Sequence, residues 1–169
     1  MSITMHSASV PIFVRMFGNL VTWLDKAEAH AAAKKFDISV LLNARLAPDM
    51  LPLTRQIQIA SDGAKFCVAR LAGVEAPKFE DDETTVADLK ARVAKTVAFM
   101  ESVSAAQING TEDKDITVPR RDGPWIVKGE PYLKNYVLPN FFFHVTTTYA
   151  LLRHNGVNLG KSDYLGPQP

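Results

Sequence analysis

One cysteine, Cys67, stands in a chain of 169 residues, so no internal disulfide can form and nothing calls for an oxidising compartment. Charge of one sign is also missing. Nineteen Lys and Arg against eighteen Asp and Glu leave a formal net charge of +1, too little to draw in nucleic acid or an acidic membrane surface. No apolar run nears the roughly 18 residues that span a bilayer, and MSITMHSASV has neither the basic nor the apolar segment of a secretory signal. The expectation is a cytoplasmic protein with no membrane or nucleic-acid partner. The chain also lacks a glycine-rich phosphate loop, a nucleophile elbow and any Cys/His cluster with metal-ligand spacing. Cys67, between Phe66 and Val68, reads as a small core residue, because no histidine is near it in sequence and burial keeps thiols inert.

Hydrophobic residues make up 47% and charged residues 22%, the balance of one globular domain spanning 1–169. Apolar residues recur at helical spacing in four stretches. The first opens at Ser9-Val10-Pro11 and carries Phe13, Phe17, Leu20, Leu24, Ala27 and Ala31. A short turn is expected around 39–43. Pro48 and Pro52 bracket the start of the second helix, which runs from Leu51 to about Leu71 and stops at Gly73. "VEAPKFEDDETT" reads as a solvated acidic crossover. Thr85 with Asp88 resembles a capping box and starts the third helix, whose inner stripe is Leu89, Val93, Thr96, Val97 and Met100. "DITVP" and "PWIVKG" around "RRDG" predict a β-hairpin that must lean on the helices. A fourth helix runs from near Tyr132 to Asn155, either kinked or begun at Pro139. The tail "NLGKSDYLGPQP" has no regular pattern and is expected to pack back through Leu159, Tyr164 and Leu165. The fold class is all-α, a four-helix bundle with a long crossover between helices two and three and a small hairpin before the last helix.

The residues that could carry chemistry lie on that fourth helix. At about 100° per residue, Thr148 falls about 40° from His144, and Asn140 lies one turn back, so all three face inward. A metal would need further His, Asp, Glu or Cys at i+3 or i+4 or on a facing helix, and Thr148 is a poor ligand. A core histidine needs only a hydrogen-bond partner, and helix two offers Gln56, Gln58 and Asp62. Spacing favours the second reading. His154 suits a helix C-terminus, and His30 lies on the wet end of the first helix. Phe142, Phe143 and Tyr149 spread outward, so the hairpin with Trp125 or a second subunit should cover them; a homodimer is expected.

"APDMLPLTRQIQIASDGAK", "LPNFFFHVTTTYALLRHNGV" and "GKSDYLG" resemble an uncharacterised bacterial family, a domain of unknown function grouped with the DinB/YfiT-like metalloenzymes. The resemblance covers nearly the whole chain. It implies a bundle with a long 2–3 connection and, in typical members, a divalent ion such as nickel or zinc held by one histidine of helix two and an H-x-x-x-H pair of helix four. His144 matches the first of that pair. Thr148 stands at the second, and Gln58 or Ile59 near the helix-two position. With two of three imidazoles replaced by weak donors, no metal cofactor is expected.

Three functions follow. The first is a metal-free DinB-like protein of unknown activity whose old cavity persists as a small polar pocket lined by His144, Thr148, Asn140, Gln58 and Asp62, binding a small molecule or nothing. The second is an enzyme, either a metal- and thiol-dependent transferase or isomerase, or one using His144 as a base oriented by Asp62 or Gln58. The third is a non-catalytic dimeric interaction module.

Overall fold

The computed structural model describes residues 2–167. The expected span of 1–169 and the last two residues of the tail therefore reach outside the described residues. Helix α1 (Val10–Lys34) has Pro11 in its first turn and closes on Lys35 in a left-handed conformation. Ser9 occupies the N-cap position, yet its hydroxyl donates backward to the Met5 carbonyl at 2.6 Å and so ties down the preceding turn. After the short α2 (Ser39–Leu42), helix α3 (Leu53–Ala72) starts behind Pro52 and stops at Gly73. Gly73 has φ 73°, where a Cβ would be strained. Helix α4 (Val86–Ser102) opens with the expected reciprocal cap. Thr85 Oγ1 accepts from the Asp88 N–H at 3.1 Å, and Asp88 Oδ2 accepts from the Thr85 N–H at 2.9 Å.

A short α5 (Ala105–Ile108) leads into β1 (Asp115–Val118) and β2 (Trp125–Lys128), an antiparallel pair with Ile116 opposite Val127. The chain then stays helical through α6 (Gly129–Tyr132), a π-helical turn (Leu133–Val137) and α7 (Leu138–His154). The π turn answers the question raised by Pro139. Proline lacks an N–H and its ring crowds the carbonyl four residues back, here Asn135, and a widened turn accommodates both.

Helix α3 packs on α4 and α7, and α1 packs on the same two helices. Phe13, Phe17 and Leu20 of α1, Ile57 and Val68 of α3, Leu89 and Met100 of α4, and Phe141 and Leu152 of α7 are all buried at the centre. The Phe141 ring stands edge-on to Phe13 at 4.7 Å and to Phe17 at 5.3 Å. The protein is thus mostly helical with one small two-stranded sheet, and among the described residues no helix is long and apolar enough to cross a membrane.

Two expectations change. The tail is not irregular: α8 (Lys161–Leu165) forms there, Tyr164 stacks on Trp23 at 5.6 Å, and Leu165 stays exposed while Leu159 is buried. The Trp23 indole N–H donates to the Asp163 carbonyl at 3.0 Å, so a buried polar handle sets where the tail lies. The tail also covers Tyr149, whose ring is 5.7 Å from that of Tyr164. Trp125 of the hairpin covers Tyr136 instead of Phe142 or Phe143, and Phe143 remains 55% exposed.

Candidate functional site

His144 is buried on the α7 face that meets α3. Its Nδ1 lies 2.7 Å from Gln56 Oε1, and because an amide oxygen can only accept, Nδ1 carries the proton. Burial holds its pKa below the ordinary value. Thr148, one turn on, is fully buried and spends its hydroxyl on the His144 carbonyl at 2.9 Å. The satisfied-histidine reading therefore describes the geometry, and the partner across the seam is Gln56. Neither Gln58 nor Asp62 orients His144, as the general-base reading required.

Gln58 faces elsewhere. Its Oε1 accepts from Arg55 and its Nε2 donates to Glu83, each at 2.7 Å. Glu83 belongs to the acidic crossover, whose Glu80, Asp81 and Asp82 are exposed as its composition implied while the Glu83 side chain turns inward. The fully buried Arg92 gathers that segment onto the helices. Its Nη1 donates to Glu83 Oε1 and lies 3.0 Å from Asp81 Oδ1, its Nη2 reaches Asp62 Oδ1 at 3.0 Å, and its Nε reaches Ser61. Burial opposes the charge on Arg92, but the Glu83, Asp62 and Asp81 carboxylates outweigh it and hold the guanidinium pKa up. Lys65, 2% exposed, pairs with Asp62 Oδ1 at 2.8 Å and lies over the Phe79 ring at 4.1 Å. Arg92 sits one turn from both Leu89 and Thr96 on the inner stripe of α4. A cation on an apolar stripe after an acidic run was the signal that could have revealed this cluster.

Asn140 and Asp62 do meet. They border a cavity of about 240 Å³ between α3 and the last helix, under the hairpin, which Arg70, Tyr132, Phe66 and Val118 also line. Gly63 lines it too, and a Cβ there would meet Asn140 Nδ2 at 3.5 Å, an ordinary contact. The Asn140 side chain makes no hydrogen bond among the described residues. Of the five candidate residues, these two share a cavity, His144 and Thr148 face the core at Gln56, and Gln58 is held in the ion-pair cluster. A larger apolar groove between α1 and α4 has few polar groups, and its Lys90 is already paired with Asp25 and Glu28. Cys67 is fully buried, which pushes its thiol pKa up and leaves it inert.

The donor set does not fit a three-imidazole metal centre. One imidazole, a spent hydroxyl and an amide turned toward Glu83 share no focus, and among the described residues no group of three or more His, Cys, Asp or Glu is placed to hold an ion. The family model described as "Domain of unknown function (DUF1993)" matches residues 5–165. The chain belongs to that family. This DUF1993 protein is also similar to a DinB family member protein from Shewanella denitrificans, known from its crystal structure. The two are 45% identical, with a TM-score of 0.92 over 97% of this chain and 93% of that one. No curated protein matches the sequence.

Proposed function

We propose that this DUF1993 protein is a DinB-like four-helix bundle, one domain, that works without the three-histidine metal and binds a small molecule in the cavity bordered by Asp62 and Asn140. One observation carries the reading: the Asn140 amide borders that cavity without a partner among the described residues, while His144, Thr148 and Gln58 are each committed elsewhere. Partly buried polar groups without protein partners are suited to a ligand or to water. The protein acts in the cytoplasm and pairs with a second copy. Phe143 at 55% and Leu46 at 42% exposure, beside Phe142 and Ala150, supply an apolar face for that pairing.

The test is metal content by mass spectrometry on untagged protein purified without chelator, beside a His144→Ala variant. Neither sample should hold a stoichiometric divalent ion. One ion per chain, lost in the variant, would overturn the metal-free reading. Sedimentation of wild type and Phe143→Ser tests the pairing, with a dimer expected only for the first.

A further inference from the structure

The two ends of the cavity differ in a way that specifies what it takes. At the Asp62 end the local charges are already matched, since Asp62 Oδ1 serves both Lys65 and Arg92. Eight residues further along α3, about 12 Å at 1.5 Å per residue, stands Arg70. Its guanidinium stacks on the Phe66 ring at 5.0 Å and donates to the Tyr132 hydroxyl at 2.9 Å. It forms no ion pair among the described residues. Tyr132 is 1% exposed, and having accepted from Arg70 it still holds a hydroxyl hydrogen with no acceptor among the described residues. Burial pushes its pKa up to about 12, so that hydrogen is present at neutral pH. A cation and a buried donor therefore converge at one end of a cavity of mixed polarity, in which Phe66, Val118 and the Tyr136 ring supply the apolar wall.

A forked guanidinium beside a phenol hydroxyl is the donor arrangement that a planar two-oxygen anion satisfies. Resting on the ligand-binding reading above, we infer that the cavity's ligand is a small monocarboxylate with an apolar body. Its carboxylate lies against Arg70 and Tyr132, and its body lies along Phe66 toward Asn140. A tetrahedral, doubly charged phosphate would need more donors than Arg70 and Tyr132 supply, so the planar carboxylate is the better match.

The probe is sodium phenylacetate, compared with phenylacetamide and inorganic phosphate, titrated into the full chain with the Asn140 side-chain amide followed by NMR. Phenylacetate should give a saturable shift, at least tenfold tighter than phenylacetamide. Arg70→Met, which keeps an aliphatic stem over Phe66, should weaken it tenfold or more, and Tyr132→Phe should weaken it less. Tyr132→Phe also keeps the test open should Arg70→Met not fold. Equal binding of the amide, binding unchanged in both variants, or displacement by phosphate would overturn the carboxylate inference while leaving a ligand-binding cavity. No saturable shift with any of the three probes would overturn both.

Discussion

His144 Nδ1 and Gln56 Oε1 lie 2.7 Å apart across the seam between α3 and α7. That bond settles the ring's tautomer and spends the nitrogen that faces the neighbouring helix. It also identifies which α3 residue faces His144. The family resemblance placed the helix-two ligand near Gln58 or Ile59, whereas Gln56 is the residue against the imidazole.

The burial of His144 makes stability depend on pH in one direction. Its folded pKa lies below the ordinary 6.5, so the unfolded chain binds the proton more readily. The contribution is fully present above about pH 6.5 and is lost as pH falls toward the folded value. Urea unfolding at pH 7 and pH 5 should show a larger loss for wild type than for His144→Gln. Parallel losses would show that other groups set the acid limb.

Restoring a metal site should depend on which glutamine is changed. Gln56→His with Thr148→His places imidazoles on both sides of His144, and one nickel or zinc ion per chain is expected by mass spectrometry of untagged protein. Gln58→His with Thr148→His should take up none, because position 58 faces Arg55 and Glu83. The reverse result would show that the seam slides by half a turn.

Arg92→Met should cost on the order of 3–5 kcal/mol in urea denaturation, because Glu83 and Asp62 lose the buried cation that balances them. Lys78→Ala, at a pair with Glu80 in which both side chains are well exposed, should cost about 1 kcal/mol or less. Equal costs would mean that the cluster is fully hydrated.

Gly129 joins the hairpin to the last helix, and a Cβ there would strike the Thr111 carbonyl oxygen. Backbone cannot swing aside as a side chain can. Gly129→Ala should destabilise the fold by about 1–3 kcal/mol and broaden NMR signals from Val118 and Tyr132, which line the cavity. A variant as stable as wild type would mean that the hairpin is free to shift.

The sequence by itself determined the elements that local chemistry dictates. Pro52 and Gly73 bound α3, the Thr85 and Asp88 cap opens α4, and Phe13, Phe17 and Leu20 already lay on an apolar stripe. Each of these follows from neighbours a few residues apart. Glu83 with Gln58, Tyr164 on Trp23, and Arg70 with Tyr132 join residues 25, 141 and 62 positions apart, and no spacing rule reaches that far. So the sequence showed that His144 and Asn140 face inward, and only the tertiary structure decided that one meets Gln56 while the other opens onto a cavity with Asp62. The reason is physical. Helical periodicity sets the direction in which a side chain points, and the rise and rotation of the opposing helix set what it finds there.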